Sequence, residues 1–353
     1  MQSVWRRKSS GIMVEKNRKK VCIIHTGGTI GMARTAKGYA PQAGFVKSTL
    51  SEIRELNAAE MPKFDLIEYS PLLDSSSISV KEWVKLAKDI EKKYNKYDGF
   101  IILHGTDTMA YTASALSFML EELTKPVILT GSQIPLCEIR NDARDNLITA
   151  LLIAGNYQIP EVCIYFESRL MRGNRAKKVS TNQLIAFDSP NFPSLADAGV
   201  KIVLNDKNIR DPGTGIQMFP IQEHPIAVIR LFPGIQFQLI EKMISSKIKA
   251  IVIEAFGSGN IPGKNAAFLK LLKKAQEKGT LILVCTQCLR GAASLGEYEA
   301  SQELVKAGAV SGLDMTVEAA VTKLFYLFSK GYNMEMIKKL METNLRGELT
   351  EHS

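Results

Sequence analysis

The chain has 353 residues, of which 45% are hydrophobic and 23% are charged, as is typical of globular proteins. This length favours two domains over one. No apolar run approaches the roughly 18 residues that a membrane-spanning helix requires, so the sequence predicts no membrane-embedded segment.

The net charge of +9 is concentrated at the N-terminus. Residues 1–20 contain seven basic residues and one acidic residue, a net charge of +6 that leaves +3 for the other 333 residues. A basic tail does not form a surface that recognises a nucleic-acid sequence, and the chain has no nucleic-acid-binding motif. We therefore predict no nucleic-acid partner. Ile12–Val14 is too short an apolar run for a secretory signal. We interpret residues 1–19 as a disordered basic extension, with a weak organelle-targeting segment as the alternative.

The five cysteines are an odd and modest number, which indicates reduced thiols in a cytoplasmic protein. Cys285 and Cys288 form a CxxC pair. A zinc site would need two further ligands at matching spacing, and the chain has only four histidines. We therefore expect buried thiols near a strand end, with a redox pair as the alternative.

From residue 20 onward, short apolar runs alternate with longer amphipathic stretches. The nearly continuous hydrophobicity of the first five runs predicts a parallel sheet buried on both faces. These predicted strands are Val21–His25, Phe64–Tyr69, Phe100–His104, Val127–Thr130 and Val162–Phe166. Helices are predicted after a capping box of Ser79 and Glu82, from about Asp107, and from Asp142 to Ala154. The alternation predicts right-handed βαβ units in a three-layer α/β domain of flavodoxin or Rossmann type.

The alternation lapses between Asn205 and Gln222, where Asp, Asn, Pro and Gly cluster. It resumes with predicted strands Ile226–Leu231, Ala250–Ala255 and Leu281–Cys285, and with predicted helices Asn265–Lys278, Ser301–Ala307, Val317–Lys330 and Asn333–Thr343. We therefore predict a larger N-terminal α/β domain at residues 20–206, a linker at 207–225 and a smaller C-terminal α/β domain at 226–353.

Functional residues are expected where strands end, because open parallel sheets bind ligands beyond the carboxyl ends of their strands. His25–Gly31 follows the first strand, and its paired glycines let the backbone turn tightly and approach a ligand. The glycines at 27, 28 and 31 do not fit G-x-G-x-x-G, and no acidic residue ends the second strand, so NAD binding is not predicted. Thr26 and Thr29 flank the glycine pair, and either is a candidate nucleophile.

Three further loops are dense in polar residues. His104–Thr108 starts a helix, and its simplest interpretation is that Thr106 caps that helix while Asp107 complements its positive end. Leu73–Ser77 is a serine-rich loop with good hydrogen-bonding capacity. Arg172–Lys178, after the last predicted strand of the first domain, is a charge run of the kind that is normally solvated.

A threonine hydroxyl needs a base, because an alcohol is a poor nucleophile at its free pKa. No histidine-based triad is apparent: there is no G-x-S-x-G elbow, and His224 and His352 lie far from any serine cluster. His25 and His104 end adjacent predicted strands, and we expect them to be buried. A lysine beside an aspartate can supply the base, so a Thr–Lys–Asp set is available if the loops converge.

At these loops the sequence resembles the bacterial-type L-asparaginases, and most closely their cytoplasmic type I branch. TGGTIG at 26–31 and HGTDTMAYTASAL at 104–116 are similar to the two signature patterns of that family. EYSPLLDSS at 68–76, TGSQIPL at 130–136, RGNRAKK at 172–178, DMTVEA at 314–319 and NLRGELT at 344–350 also resemble type I segments. The resemblance extends from about Lys20 to the C-terminus. It implies an amidohydrolase that converts L-asparagine to L-aspartate and ammonia without a metal or an organic cofactor.

The resemblance also implies catalytic roles. Thr29 matches the primary nucleophile, and Tyr39 matches the tyrosine that helps to activate it from a Gly-rich mobile stretch. Thr106, Asp107 and Lys178 match a second catalytic group, in which Lys178 polarises the other two side chains.

For the substrate, the resemblance implies that Ser75, between Asp74 and Ser76, holds the α-carboxylate and that Asp107 binds the α-ammonium. Asn260 resembles a contact that the neighbouring subunit's smaller domain supplies, which implies a homodimer or homotetramer. L-Asparagine is the implied substrate, with L-glutamine as a weaker one.

Two positions depart from the type I pattern. Lys177 stands where members often have threonine, and Glu254 stands where they often have a basic residue. Some type I enzymes respond to asparagine at a second site in this part of the structure, and both departures put such a response in question here.

Two alternative functions share this scaffold. A glutaminase-leaning or transamidating relative would have every catalytic residue, and ammonia release from the two amides distinguishes it. A binding protein without turnover is the other alternative. The presence of all six matching side chains argues against it: Thr29, Tyr39, Ser75, Thr106, Asp107 and Lys178.

Overall fold

A computed structural model describes residues 18–244, 248–262, 266–297 and 299–351. The chain forms a larger N-terminal domain and a smaller C-terminal domain, each built on its own sheet. The first domain contains β1 Lys20–Gly27, β2 Met32–Thr35, β3 Gly38–Pro41, α1 Phe45–Glu52, β4 Lys63–Leu73, α2 Val80–Lys93, β5 Gly99–Leu103, α3 Met109–Met119, β6 Leu120–Glu121, β7 Val127–Thr130, α4 Ala143–Asn156, β8 Val162–Phe166, β9 Arg169–Arg172, β10 Lys177–Lys178, β11 Phe187–Asp188, β12 Ala196–Ala198 and β13 Ile202–Leu204. The segment β14 Gln217–Met218 precedes the second domain, which contains β15 Ile226–Arg230, α5 Phe237–Ile244, β16 Ala250–Ala255, α6 Ala266–Glu277, β17 Leu281–Thr286, α7 Glu299–Lys306, β18 Val310–Ser311, α8 Val317–Ser329 and α9 Met334–Met341.

The large sheet has the strand order β13-β12-β9-β8-β7-β5-β1-β4. The five strands from β8 to β4 are parallel, as predicted. Because β4 pairs on one side of β1 and β5 pairs on the other, the strand order reverses at β1. This is a topological switch point, where the loops that leave neighbouring strands part to form a crevice.

The central strands are buried on both faces because alternate side chains enter different cores. Cys22 and Ile24 of β1 lie in one hydrophobic cluster, whereas Val21 and Ile23 lie in the other. Helices cover both faces of the sheet, and α2 begins at the predicted capping box. The Ser79 backbone N–H and hydroxyl both donate to Glu82, at 2.9 and 2.6 Å.

The far edge of the sheet differs from the prediction. Strands β9, β12 and β13 extend it, each antiparallel to the strand before it, so β8 is not the last strand of this domain. The segment that leads to Lys178 therefore follows β9. Lys178 itself lies in β10, which pairs with β11. These strands have two to four residues each and carry too little periodicity to be recognised.

The small sheet has the order β15-β16-β17-β18, and all of its pairs are parallel. The predicted helix start at Asn265 lies outside the described residues. The two domains pack through α3 and α8, where Phe118 and Tyr326 stack at 5.8 Å between ring centroids. Strand β14 pairs with β6, so the segment between the domains is bound to the first one.

Most of the predicted N-terminal extension, residues 1–17, lies outside the described residues. Its last two residues contact the first domain: Arg18 donates to the Met61 carbonyl, and Lys19 pairs with Asp98 at 2.9 Å. Across the described ranges, no helix is long and apolar enough to cross a membrane.

Candidate active site

Three of the four polar loops meet at the switch point, and glycines set their close approach. A Cβ atom on Gly28 would lie 2.4 Å from the Gly105 backbone, and one on Gly105 would lie 2.4 Å from the Ser75 hydroxyl. Real side chains cannot occupy such distances, so only glycine lets these backbones touch. The loops after β1, β4 and β5 are thereby held together, and they place Thr29, Ser75 and Thr106 at one edge.

The fourth loop contributes Lys178 from β10. Its ammonium donates to the Thr106 hydroxyl at 2.8 Å and to one Asp107 carboxylate oxygen at 2.7 Å. Thr106 is buried, whereas the Asp107 side chain is 63% exposed. The other Asp107 oxygen has no partner among the described residues. The predicted Thr–Lys–Asp group is therefore assembled, with one carboxylate oxygen free toward the crevice.

The capping interpretation of Thr106 is wrong. Helix α3 begins at Met109, and its N-cap residue is Thr108, whose side chain makes no capping bond. The Thr108 hydroxyl instead donates to the Ser75 carbonyl at 2.7 Å. This bond ties the second signature loop to the serine loop and leaves the Thr106 hydroxyl to Lys178.

The serine loop forms one short 3-10 turn over Ser75–Ser77. The Asp74 carboxylate accepts from the Ser76 backbone N–H at 3.0 Å, which fixes the start of the turn. Ser75 is buried against Gly105, while Asp74 and Ser76 are exposed. Of the three predicted substrate-binding residues here, Ser75 is thus the one closest to the Thr106 loop.

Thr29 begins a 3-10 turn that Gly28 makes possible with a φ of 89°. Thr29 is half-buried, and its hydroxyl makes no hydrogen bond within the described parts of the chain. Thr26 is buried instead and donates to the Leu103 carbonyl at 2.9 Å. Of the two threonines that flank the glycines, Thr29 is therefore the one with a free, accessible hydroxyl.

His25 lies buried beneath this turn, as expected. Its Nδ1 lies 3.1 Å from Glu68, and a Cβ on Gly31 would lie 2.5 Å from its Nε2. Burial lowers the pKa of His25 despite the neighbouring Glu68 carboxylate, so the ring is neutral at pH 7. The histidine supports the turn from below and does not face the crevice side chains.

Tyr39 lies in β3 of a hairpin with β2, and its phenol donates to Glu138 at 2.7 Å. Arg34, opposite Tyr39 in the hairpin, pairs with the same carboxylate at 2.9 Å. No hydrogen bond joins Tyr39 to Thr29 within the described residues. Sequence reasoning missed Arg34 and Glu138, since Glu138 lies 99 residues from Tyr39 and no local pattern connects them.

Asn260 lies in the second domain, in a tight turn after β16, and is half-buried. Its backbone N–H and carbonyl pair with Phe256 at 2.7 and 2.9 Å. Within the described residues it makes no hydrogen bond to the four loops of the first domain. Asn260 is therefore the one predicted site residue that belongs to the second domain.

The CxxC cysteines and the two positions that depart from the type I pattern lie outside this group of side chains. Cys285 is buried at the end of β17, as expected, whereas Cys288 is exposed. Lys177 pairs with Glu318 at 3.2 Å, and Glu254 pairs with Arg230 at 3.3 Å. The part of the chain that the structure describes holds no group of three or more His, Cys, Asp and Glu side chains that could bind a metal ion.

A two-domain α/β fold with threonine hydroxyls, a lysine and a carboxylate at the switch point defines the class of α/β amidohydrolases. The chain belongs to the asparaginase family: the model described as "Asparaginase, N-terminal" matches residues 20–210, and the "Glutaminase/Asparaginase C-terminal domain" matches residues 225–341.

Individual relatives agree with this membership. The chain is 46% identical to L-asparaginase 1 of Escherichia coli strain K12, over 94% of this chain and 98% of that protein. The structure of L-asparaginase I from Vibrio cholerae is similar with a TM-score of 0.88 and 45% identity, over 95% of this chain and all of that one. The thermostable L-asparaginase of Thermococcus kodakarensis is similar with a TM-score of 0.86 and 33% identity, over 94% of this chain and all of that one.

Proposed function

We propose that this chain hydrolyses L-asparagine to L-aspartate and ammonia. The observation that carries the proposal is the position of the Lys178 ammonium, which lies within hydrogen-bond distance of both the Thr106 hydroxyl and the Asp107 carboxylate. An amide hydrolase with an alcohol nucleophile needs proton-transfer groups next to that alcohol. Family membership and the similarity to proteins named L-asparaginase support the same function.

In the proposed reaction, the Thr29 hydroxyl attacks the side-chain amide carbon of asparagine. The β2–β3 hairpin closes over the bound substrate and moves the Tyr39 phenol from Glu138 to Thr29. The hydroxyl proton then passes by way of Tyr39 to the amide nitrogen, the C–N bond breaks, and ammonia leaves. A water molecule, polarised by Thr106 and Lys178, then adds to the Thr29 ester and releases aspartate. Backbone N–H groups of the glycine turn and of the Thr106 loop stabilise the oxyanion, and one such donor is typically worth about 3 kcal/mol.

The proposed substrate contacts follow from charge. The free Asp107 oxygen attracts the α-ammonium of an amino acid, and Ser75 with neighbouring N–H groups binds the α-carboxylate. Asp74 holds the serine turn through the Ser76 N–H, so these two exposed residues shape the same pocket. L-Glutamine shares both charged groups, and we propose it as a weaker substrate because its amide carbon lies one methylene further from them.

We also propose that the active unit is a cytoplasmic homodimer or homotetramer in which Asn260 of one subunit completes the site of another. In the single chain the crevice is open, as the exposure of Asp107 shows. The carboxyl edge of the small sheet exposes Phe232 and Leu289 on either side of the Asn260 turn. Val179 and Ile185, beside Lys178, are also exposed. Apolar groups on these two edges suit a subunit interface.

The proposed domain boundaries are residues 20–206 and 226–353, joined by a linker at 207–225. Domain boundaries usually fall in exposed polar segments across which few contacts are made. The pairing of β14 with β6 adds that this linker lies along the first domain and does not hang free.

The decisive experiment is kcat/KM for L-asparagine and for L-glutamine, measured by ammonia release from the purified protein. We expect a higher value for asparagine. Thr29→Ala should lower kcat by about 100-fold or more, the range usually lost with such groups, and Thr29→Ser, which keeps a hydroxyl at the same position, is the matched control. Equal values for both amides would indicate a glutaminase-leaning enzyme, and absence of turnover with intact folding would indicate a binding protein.

A further inference from the structure

The segment that leads to Lys178 has an unusual environment for a charge run. Arg172 and Arg175 are only 5% and 2% exposed, and Asn174 is fully buried. Their partners are neither solvent nor the loops of the active site. All three side chains bind residues 344–350, the last described stretch of the small domain before Glu351, which we name the C-terminal strap.

Arg175 makes the densest set of these contacts. Its guanidinium donates to both carboxylate oxygens of Asp314, at 3.0 and 2.7 Å, and to the Glu348 carbonyl at 2.7 Å. It also donates to the Thr350 hydroxyl at 2.9 Å. Thr350 in turn donates through its N–H and its hydroxyl to Asp314, at 2.9 and 2.6 Å. The side chains of Arg175, Asp314 and Thr350 thus form a closed ring of hydrogen bonds.

The two neighbouring side chains bind the strap backbone. Asn174 donates to the Arg346 carbonyl at 3.0 Å, and Arg172 donates to the Gly347 carbonyl at 3.3 Å. Arg172 is held mainly by its buried ion pair with Glu161 of the first domain, at 2.5 and 3.1 Å. Asn174 and Arg175 are therefore the side chains that chiefly attach this segment to the strap. Ala176, which follows, is fully buried, and Lys178 comes two residues later.

The strap is itself rigidly held in the small domain. Glu348 forms a fully buried ion pair with Lys323 of α8, at 2.6 Å, and accepts from the Leu345 N–H at 3.0 Å. Lys323 also donates to the Thr343 carbonyl at 2.6 Å. A buried charge pair of this kind is costly to break, because the remaining charge would be left in the interior without its counter-charge.

We infer that the C-terminal strap positions Lys178: the Arg175–Asp314–Thr350 ring fixes the turn before β10 and thereby sets where the lysine ammonium meets Thr106 and Asp107. Arg175, Asp314 and Thr350 are positioning residues that act through Lys178 without touching the substrate. The inference deepens the proposed function and rests on it for its activity measurements. It also implies that the small domain controls the catalytic group of its own chain.

The test compares two threonines of the same stretch. Thr350→Val removes the hydroxyl that bonds to Arg175 and Asp314, whereas Thr343→Val removes a hydroxyl that donates only to the Lys339 carbonyl, at 2.9 Å. Because a displacement of about 1 Å in a catalytic group can lower a rate by about 100-fold, we expect Thr350→Val to lower kcat by about fivefold or more. KM for asparagine and the melting temperature should match those of Thr343→Val. Equal kcat values for the two variants would overturn the inference.

A double-mutant cycle distinguishes positioning from general support. If Thr350 acts through Lys178, Thr350→Val should reduce kcat no further in a Lys178→Met background, since the two effects share one path. Multiplicative losses would overturn the inference. The cycle is read from single-turnover ammonia release, which remains measurable in slow variants.

Labelling supplies a readout that needs no activity. The Lys178 side chain is only 19% exposed while it is ion-paired, so an amine-reactive reagent should modify it slowly. Mass spectrometry should find faster labelling of Lys178 in Thr350→Val than in Thr343→Val, relative to the exposed Lys47. Unchanged labelling would overturn the inference. If the wild-type protein hydrolysed no asparagine, the proposed function would fail while the labelling result still decided whether the strap positions Lys178.

Discussion

Two adjacent lysines show how single side chains divide their roles at this site. Lys177 and Lys178 are neighbours in β10, so their side chains point to opposite faces. Lys177 pairs with Glu318 of α8, whereas Lys178 bonds to Thr106 and Asp107. Lys177 therefore links the two domains, whereas the Lys178 ammonium lies in the crevice.

This division predicts different outcomes for the same substitution. Lys178→Met keeps the length of the side chain but removes the amine, so Thr106 loses its polarising partner and kcat should fall by about 100-fold or more. Lys177→Met should change kcat by less than about threefold, because it removes only a partly exposed ion pair. Steady-state ammonia release from the two variants checks this. A loss of less than tenfold in Lys178→Met would show that Lys178 is only a structural charge.

His104 is the buried ionisable group nearest to Thr106 in the chain. Its Nδ1 lies 2.6 Å from the Gly105 carbonyl and its Nε2 lies 2.9 Å from the Thr112 hydroxyl. Because the Gly105 carbonyl can only accept, Nδ1 of the neutral ring carries the proton, and Nε2 accepts from the Thr112 hydroxyl, which itself accepts from the Trp83 N–H. Burial lowers the pKa of His104 to about 4, and only the backbone bond opposes this effect.

The lowered pKa predicts how stability depends on pH. Since the folded pKa lies below the unfolded value of about 6.5, the unfolded chain binds more protons between these values. The contribution to stability is complete above about pH 6.5 and is lost as the pH falls toward 4, by about 3 kcal/mol in total. Urea unfolding of the wild type and of His104→Gln at pH 7 and at pH 4.5 measures it. The inference fails if both proteins lose the same free energy of unfolding between the two pH values.

At the scale of elements, the candidate site depends on how closely three loops approach one another. Gly105 has no space for a side chain, since a Cβ would meet Ser75 atoms at 2.4 and 2.6 Å. The β1 and β5 strands fix the loop bases through their register, in which His25 pairs with Leu103. The loops therefore cannot separate without disturbing the sheet, and any added atom must displace Ser75.

Gly105→Ala should act on substrate binding more than on chemistry. Moving Ser75 away from its proposed place at the α-carboxylate should raise KM by about tenfold, which corresponds to about 1.4 kcal/mol. Gly199→Ala is the matched control, because a Cβ there meets nothing within 4 Å. Steady-state kinetics with asparagine provide the measurement. A variant whose KM equals that of Gly199→Ala would argue against Ser75 as a carboxylate contact.

At the scale of the whole molecule, the four polar loops lie in the first domain, whereas Asn260, the proposed contact from a partner subunit, lies in the small domain. Asn260 makes no hydrogen bond to those loops within the described residues. A small polar substrate in an open crevice stays wet, which weakens the charge interaction proposed for Asp107. A two-fold arrangement would cover two crevices at once with two Asn260 turns. Such an assembly would also cover Phe232 and Leu289, the exposed apolar side chains at the carboxyl edge of the small sheet.

Mixing inactive subunits tests this arrangement. Thr29→Ala and Asn260→Ala proteins are dissociated, mixed and reassociated, with assembly followed by light scattering. Shared sites predict partial recovery of asparaginase activity, because some sites then combine an intact Thr29 with an intact Asn260 from a partner. If Asn260→Ala alone is inactive and the mixture reassociates without recovery, the whole site lies within one chain.

Local features of this protein could be predicted from the sequence. The capping box of Ser79 and Glu82 and the strand Val127–Thr130 were predicted at their observed positions, because a cap and a strand are encoded by neighbouring residues. The burial of His25 and His104 followed from the same strand assignment. The polar loops at strand ends left Thr26 and Thr29 as candidate nucleophiles, since parallel strands end at one edge. The choice of Thr29 and the roles of Thr106 and Lys178 came from the resemblance to the asparaginase family.

Only the tertiary structure decided which of these groups meet. Thr106 could have capped α3, and its bond to Lys178 depends on a chain reversal through β9 that no local pattern announces. The same holds for Tyr39 with Glu138 and for Arg175 with Asp314, which lies 139 residues further along the chain. A run of charged residues is solvated unless a distant segment covers it. Whether such a segment covers it depends on how the domains pack. Sequence thus determined the elements and the candidate chemistry here, while long-range packing determined the partners.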